Sequence, residues 1–435
     1  MKFLYLLIRR FAKKLVYSPI SPRVFAFQVS ALRTLGLLRQ PKHRHSGRLE
    51  RIFISHPYSS VGDMVLLLPL LEQIHKTWPQ ASIDIACGSG ACDLLSGVPG
   101  IKNVFICGSH RSKFAIPGVY KRIFRNLLLY RREIMQYEYD LAIAPRWGSI
   151  LTSEAVYLAY LTGARERIGY SGSVDGGDEA VNVLLTRVAT GGQHEHETVR
   201  NVRLLERANL TPLETDAEAI SCRPMQSLIG LAKERPAAEL FKKLNLENRQ
   251  GNQPYAVIAP GATNPYNVWP NSSLAEVIKK LYQQTGLFFY IVGSPGDARR
   301  CEELAQLTPG CAQSIAGQTN LQELAGLLFT AKLFIGMDSG TAHVAGALGV
   351  PTIVISPFPS TFAEDHPHSP ERFRPCGPNV RVLQPEKPVP PCDPICSFPG
   401  PHCIQQILPA QVVTVSASLL QSNSHAVTLG PEFEG

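Results

Sequence analysis

The chain has 435 residues, enough for two substantial cores, and its 44% apolar and 18% charged residues exclude a largely disordered protein. Its formal net charge of +8 is unevenly placed, because residues 1–50 carry eleven Lys and Arg against one acid, Glu50. The remaining chain has 32 bases and 34 acids, which disfavours a nucleic-acid-binding body and favours a basic arm that meets an anionic surface.

The arm opens with the stretch MKFLYLLIRRFAKKLV. Its apolar run is far shorter than the ~20 residues of a spanning helix, and no cleavage site for export follows it. At helical spacing the bases Arg9, Arg10, Lys13 and Lys14 lie apart from an apolar side. We predict that residues 1–50 form a basic amphipathic arm lying on an anionic membrane surface. The alternative is a helix docked on the body of the protein itself.

Beyond the arm, short apolar strands alternate with helical stretches. Strands are predicted at RIFISH, ASIDIACG, KNVFICG, YDLAIAPR and ARERIGY, and the first helix ends before Pro79. Such alternation predicts a mostly parallel sheet covered by helices, in an N-terminal domain over 51–225. The pattern then loosens into Pro-rich and Asn/Gln-rich stretches with helix signals between them, which predicts a linker at 226–253.

A second alternation follows the linker. Strands are predicted at YAVIAPGA, FFYIVGS, AKLFIGM and PTIVIS, with helices between them and a turn at AGQTNLQELAGLLF. This pattern predicts a second α/β domain over 254–410, followed at 411–435 by a C-terminal helix and a disordered tail. Two sheets in one chain predict a ligand cleft at the strand C-termini.

The stretch MDSGTAHVAGALGVP is the main candidate site, because an apolar strand ends there and a helix begins. The first N–H groups of a helix lack intrahelical partners, and the helix dipole favours an anion by ~0.3–1 kcal/mol. These features predict a phosphate site, whereas the alternative is an ordinary capped helix start. The donor-binding candidates here are Asp338, Ser339, Gly340, Thr341, Ala342 and His343.

Further candidates lie on other strand-to-helix loops. In VIAPGATNPYNVWP, Gly261 and Thr263 offer backbone N–H groups and a hydroxyl to a diphosphate. Asp297 begins a helix after a strand, where it can bind a ribose or simply cap the helix. Asp63, on the loop entering the first helix, is either a cap or a base that removes a proton from an acceptor hydroxyl. Thr319, in the predicted AGQTN turn, completes the donor-side candidates.

Together these stretches resemble the heptosyltransferases, glycosyltransferase family 9, which build the inner core of lipopolysaccharide. The likeness rests on SSVGDMVLLLPLL, APGATNPYNVWP, VGSPGDARRCEELA, the long stretch through MDSGTAHVAGALGVP, and the late CDPIC and HCIQQILPAQV; it spans about residues 51–420. It implies an α/β protein of the GT-B fold, with two Rossmann-like domains facing a central cleft. The acceptor would bind the N-terminal domain and ADP-heptose the C-terminal domain.

The resemblance also implies inverting transfer that needs no metal or other cofactor. By position, Asp63 matches the family's proposed general base, Thr263 a hydroxyl that contacts phosphate, and Asp297 an acid that binds ribose. The donor loop of the family matches Asp338 through Thr341, together with His343.

One position departs from the family. Asn267 stands two residues before Trp269, where the family often has a Lys or Arg that contacts the donor phosphates. Asn donates a hydrogen bond but supplies no positive charge. Arg146, Arg299 or Arg300 would have to substitute, or the donor would differ, or the chain is a non-catalytic relative that only binds a nucleotide sugar.

The predicted partners follow from these assignments. They are a nucleotide sugar, a lipid-linked glycan acceptor and a membrane, without nucleic acid, for a protein located in the cytoplasm and peripheral on the inner membrane. Arg146 and Trp147, which follow a strand, are the acceptor-binding candidates.

Two groups of metal-binding residue types remain. His194 and His196 would diverge on a helix, so a capping or acceptor-side role is favoured over a metal. Cys392, Cys396 and Cys403, with His402 beside them, lack the paired C-x2-C arms of zinc sites and a sure fourth ligand. We take them as reduced thiols on a Pro-rich loop, with a zinc site as the alternative.

Overall fold

A computed structural model gives the conformation of most of the chain. It describes residues 21–36, 38, 48–107, 127, 129–145, 149–175, 179–213, 216–246, 253–264, 267–361, 369–392 and 402–426. The chain divides into two compact units. The first comprises residues 1–60, 70–193 and 199–217, and the second comprises 61–69, 194–198 and 218–435.

The first unit is built on a six-stranded sheet with the order β3-β2-β1-β4-β5-β6, in which every pair of neighbours is parallel. Its strands are almost fully buried in the middle of the sheet, because helices cover both faces of a parallel sheet. The strands are β1 Arg51–His56, β2 Ser82–Gly88, β3 Ile101–Cys107, β4 Leu141–Ala144, β5 Glu166–Tyr170 and β6 Arg187–Ala189.

The second unit contains another parallel six-stranded sheet, with the order β12-β11-β10-β7-β8-β9. In both sheets the strand order reverses between the first and the fourth strand, which is the arrangement of the Rossmann fold. The strands are β7 Tyr255–Ala259, β8 Phe288–Ile291, β9 Ala312–Ser314, β10 Leu333–Met337, β11 Thr352–Ile355 and β12 Val380–Leu383. The prediction of an α/β protein with two Rossmann-like domains is therefore confirmed.

The helices follow the strands along the chain. They are α1 Pro22–Thr34, α2 Val61–Thr77, α3 Ser149–Leu161, α4 Glu197–Arg207, α5 Ala217–Cys222, α6 Gln226–Glu234, α7 Ala237–Lys243, α8 Asn271–Thr285, α9 Ala298–Leu307, α10 Leu321–Phe329, α11 Gly340–Ala347, α12 Pro370–Phe373 and α13 Pro409–Ala426. None of the described helices combines the length and the apolar character that crossing a membrane requires.

The structure departs from the sequence analysis at several elements. The stretch predicted as a turn contains α10, which Asn320 begins with a capping box made with Glu323. The predicted linker contains α6 and α7, and both of these helices pack against α10. The short strands β6, β9 and β12 were not predicted, because β6 and β9 have only three residues and Arg381 interrupts the apolar residues of β12.

A buried acid in the first unit has a structural explanation. Asp84 lies fully buried in β2, and its carboxylate accepts hydrogen bonds from Arg51 Nε, Asn103 Nδ2 and Tyr139 Oη, each at 2.9 Å. Burial, and secondarily the charge of Asp84, raises the pKa of Tyr139 far above its usual value, so that this hydroxyl stays a donor. The carboxylate is thus fully occupied in holding strands together.

Candidate functional site

The candidate donor turn lies where the second sheet reverses its strand order. β7 and β10 are neighbours there, and the loops that leave their C-terminal ends contain Gly261 and Asp338. Open α/β sheets bind ligands outside the carboxyl ends of their strands at this switch point. The topology thus places the turns that contain Gly261 and Asp338 at one edge of the second sheet.

Helix α11 begins without a side-chain cap. Ser339 is its N-cap residue, with an extended backbone, yet the side chain accepts no capping hydrogen bond. Among the described residues, the buried Ser339 Oγ has no hydrogen-bond partner. A buried hydroxyl without a partner is costly, and a ligand that hydrogen-bonds it removes that cost.

His343, one turn into α11, is a neutral imidazole at the same place. Its side chain is 7% exposed, and burial lowers its pKa to about 4, against the opposing influence of Asp63. Its Nε2 lies 3.9 Å from Asp338 Oδ1, which is too long for a hydrogen bond, and its buried Nδ1 has no partner among the described residues. The ring can therefore offer one acceptor or one N–H to a ligand, but no charge near neutral pH.

Asp338 is the carboxylate of this turn. Its side chain is 22% exposed, and burial raises its pKa to about 6. At pH 7 the group is mostly ionised, which suits hydrogen bonds from sugar hydroxyls better than contact with a diphosphate.

The first turn of α2 packs against the first turn of α11 within the second unit. A Cβ atom on Gly62 would lie 2.9 Å from His343 Cδ2, and one on Gly340 would lie 2.6 Å from Val61 Cβ. Only glycine fits this approach, which brings the half-buried Asp63 close enough to act on the pKa of His343. Sequence reasoning identified Asp63 and His343 but not the close contact of Gly62 with His343, because these two residues lie far apart in sequence.

The loop after β7 is fixed to the same turn. Trp269 is buried, its backbone N–H donates to Met337 Sδ at 3.2 Å, and its Nε1 donates to the carbonyl of Ile407 at 3.1 Å. Thr263 is exposed and Asn267 half-buried on this loop. The backbone N–H of Trp269 therefore joins the loop to Met337, the residue that precedes Asp338, and its indole joins the loop to Ile407.

The residues proposed to supply positive charge have other contacts. Arg300 donates to the carbonyls of Pro260, at 3.0 Å, and of Trp269, so that it holds the loop after β7. The side chain of Arg299 is 92% exposed and pairs with Glu303 at 3.0 Å. Arg146 and Trp147, the acceptor-binding candidates, lie outside the described residues.

Asp297 combines a capping contact with a position beside the loop after β7. Oδ2 of Asp297 accepts hydrogen bonds from the backbone N–H of Ser294 at 3.0 Å and from its hydroxyl at 2.6 Å, which is the capping alternative. The other oxygen lies beside Gly261, where a Cβ atom would come within 2.5 Å of it. Thr319 is half-buried, immediately before the cap of α10.

Of the two candidate histidines, His196 makes the contacts of a helix cap. His196 Nδ1 accepts from the backbone N–H of Thr198 at 3.3 Å, so its Nε2–H donates to the carbonyl of Arg374 at 2.9 Å. Burial lowers the pKa of this imidazole to about 4. The capping role is thus confirmed, at the start of α4.

Comparison with known proteins identifies the relatives of this chain. A model described as glycosyltransferase family 9 (heptosyltransferase) matches residues 128–397. The chain is similar to lipopolysaccharide heptosyltransferase 3 of Escherichia coli K12, with 26% identity over 69% of this chain and 80% of the relative. It is also similar to lipooligosaccharide heptosyltransferase 2 of Haemophilus influenzae, with 25% identity over 68% of this chain and 80% of the relative.

Solved structures show the same fold at lower identity. A family 9 glycosyl transferase from Veillonella parvula has a TM-score of 0.64 and 17% identity, with 88% of this chain and 100% of that chain covered. The ADP-heptose lps heptosyltransferase II of E. coli has a TM-score of 0.59 and 20% identity, with 86% and 100% covered. The fold is therefore that of the GT-B heptosyltransferases.

Proposed function

Because this chain belongs to glycosyltransferase family 9, the heptosyltransferases, and is a glycosyltransferase, we propose that it transfers a heptose from ADP-heptose to a lipopolysaccharide core or another lipid-linked glycan. The observation that supports this most is the turn at α11, where Ser339 Oγ and His343 Nδ1 are buried, without a hydrogen-bond partner in the described part of the chain, beside N–H groups that no side chain caps. A diphosphate supplies acceptors to these groups, and the helix end stabilises its charge.

The reaction is an inverting displacement at the anomeric carbon. An acceptor hydroxyl attacks this carbon while the bond to the ADP phosphate oxygen breaks, and the hydroxyl proton passes to the carboxylate of Asp63. The leaving ADP carries away the bonding electron pair as a stable anion, so neither protonation nor a metal is needed for its departure. Asp338 binds sugar hydroxyls, and the N–H groups at Gly340, Thr341 and Ala342 contact the phosphates.

The remaining donor residues take supporting roles. Gly261 and Thr263 contact the phosphates from the loop after β7, and Asn267 adds a neutral hydrogen bond there. Asp297, beside Gly261, binds the ribose through Oδ1, the oxygen that does not cap its helix. Thr319 is a further donor-binding residue. Arg146 and Trp147 contact the acceptor.

Replacement of Asp63 tests the base. We expect Asp63→Asn to lower kcat at least 100-fold, because the amide cannot take the proton, and to leave the Kd for ADP within about threefold. The control is Asp93→Asn, which changes an exposed aspartate in the first turn of another helix. Full turnover by D63N would rule out its role as the base.

Asn267 favours one second candidate, a transferase that uses a different nucleotide sugar. Without a positive charge at the diphosphate, contacts with the base and the sugar must supply more of the binding energy, and these are the parts in which the donors differ. Calorimetry with ADP-, UDP- and GDP-sugars, followed by a transfer assay with a deacylated acceptor, separates the two candidates. Binding of a donor without product in any series would instead indicate a non-catalytic relative.

The N-terminal arm is proposed to hold the enzyme on the cytoplasmic face of the inner membrane. Part of the arm, α1, packs on the first unit through the buried Phe25 and Val29, which matches the docked alternative for that stretch. The same helix exposes Val24 and Phe27, at 47% and 76%, and Leu35, the residue after it, is 66% exposed. The first twenty residues, which carry the basic amphipathic stretch, lie outside the described part of the chain.

Vesicle sedimentation tests this attachment. Binding to vesicles with phosphatidylglycerol, weakened by salt and by Phe27→Ser, is the expected result, since both charge and apolar contact contribute. Equal binding to neutral vesicles, or no binding at all, would contradict it.

A further inference from the structure

Three metal-binding side chains converge near the C-terminus, and none of them is assigned a role above. Cys392 Sγ lies 3.4 Å from His402 Nδ1, and Cys403 Sγ lies 3.8 Å from the same nitrogen. All three atoms lie within 4.8 Å of one another. Both cysteines are buried, at 5% and 1% exposure.

These separations match a tetrahedral metal site. With metal–sulfur and metal–nitrogen bonds of about 2.3 and 2.0 Å, a sulfur and a nitrogen ligand lie about 3.5 Å apart at the tetrahedral angle. The two observed distances of 3.4 and 3.8 Å lie on either side of that value. Hydrogen bonding alone explains the arrangement less well, because Nδ1 has either one proton or one lone pair and two sulfurs point at it.

A backbone contact at Cys403 suits a sulfur that binds a metal ion. The backbone N–H of Val389 donates to Cys403 Sγ at 3.4 Å, a contact that stabilises negative charge on sulfur. Two buried thiolates are costly without a cation, and a metal ion removes that cost.

We propose that Cys392, His402 and Cys403 bind a structural transition-metal ion, with zinc the first choice for a sulfur and nitrogen ligand set. Binding releases the two thiol protons to solvent, and the ion undergoes no redox change. These residues fill three of the four positions of a zinc tetrahedron, so the experiment must count the sulfur ligands.

The site would fix the end of the chain against the donor half. Cys403 begins a short helical turn, Cys403–Gln406, and the next residue, Ile407, accepts the hydrogen bond from Trp269 Nε1. The metal would thus hold the carbonyl that anchors the loop after β7. The metal is assigned no part in the chemical step.

Elemental analysis of untagged full-length protein, purified without chelators, tests the proposal. We expect about one zinc per chain in the native protein and less than a fifth of that in Cys392→Ser and Cys403→Ser. The control is Cys311→Ser, which changes a half-buried cysteine of the same unit and should keep its metal. X-ray absorption should show at least two sulfur neighbours at about 2.3 Å.

A second measurement covers the case in which the serine variants fail to fold. Adding 1,10-phenanthroline to the folded native protein should lower its melting temperature and expose two more thiols to a disulfide reagent, and zinc should restore both. Stoichiometric iron that is lost in the same variants would support the site and overturn the choice of zinc. The site would be overturned by native protein that holds no metal. It would also be overturned by metal retained in a variant that carries both Cys392→Ser and Cys403→Ser.

Discussion

The neutral state of His343 leads to a prediction about stability at acid pH. Burial lowers the pKa of His343 from 6.5 to about 4. Between these two pH values the imidazole is protonated in the unfolded chain and neutral in the folded chain. The stability from the neutral ring is therefore fully present above pH 6.5 and is lost as the pH falls toward 4. From pH 7.5 to 5.0 this linkage should remove about 2 kcal/mol. The 7% exposure of the side chain leaves little solvent to screen the effect.

His343→Gln removes the titration while keeping a polar side chain. The expected result is that the native protein loses about 2 kcal/mol more than H343Q between the two pH values. Hydrogen exchange of a peptide that covers α11 measures the free energy of opening of the second unit, after correction for the pH dependence of intrinsic exchange. This measurement does not assume that both units unfold together. His194→Gln, at an exposed histidine of the same unit, is the matched control. An equal loss in the native protein and H343Q would refute the buried neutral imidazole.

Three further predictions concern the same site. Burial raises the pKa of Asp338 from 3.8 to about 6, so this group favours folding at low pH and the contribution disappears as the pH rises through 6. Asp338→Asn should therefore add about 1–2 kcal/mol at pH 7.5, a value discounted for its 22% exposure, and nothing at pH 4; hydrogen exchange measures both. Ser339→Ala removes a hydroxyl that has no hydrogen-bond partner among the described residues, so calorimetry should show ADP binding weakened about five- to tenfold, and urea unfolding should show a free energy that is unchanged or raised by about 1 kcal/mol. The reverse pattern would assign the hydroxyl to folding. Gly261→Ala would place a Cβ atom 2.5 Å from Asp297 Oδ1, so it should cost about 1–3 kcal/mol in urea unfolding, and less in an Asp297→Ala background. If Gly261→Ala costs the same free energy of unfolding in both backgrounds, the added Cβ atom does not clash with Asp297.

The sequence by itself determined the class of fold. Alternating apolar strands and helical stretches predict a parallel sheet because helices bury both faces of its strands, and long periodic elements such as α8 and β10 appear where they are predicted. The elements that it missed are short or lie in mixed composition. Helix α10 was predicted as a turn because the stretch AGQT precedes its cap, Asn320. Its capping box is recognised only when Asn320 and Glu323 are considered as a pair.

The tertiary structure decided which candidates meet. Residue type and local spacing identify Asp338, Ser339 and His343 as a capped or ligand-binding turn, but the missing cap and the unpartnered atoms depend on what packs around them. The contact of Gly62 with His343 joins residues far apart in sequence, and the Arg300 contacts assign that side chain to the loop after β7.

The late cysteines show the same division. Their spacing lacks the usual paired arms of a zinc site, and by sequence alone it favours reduced thiols. Folding brings Cys392, His402 and Cys403 to one point, because a metal ligand set is a matter of distance in space rather than along the chain. Hydrophobic periodicity is a property of local sequence and determines the helices and strands. Burial, unpaired polar atoms and ligand geometry depend on packing and therefore exist only in the folded chain.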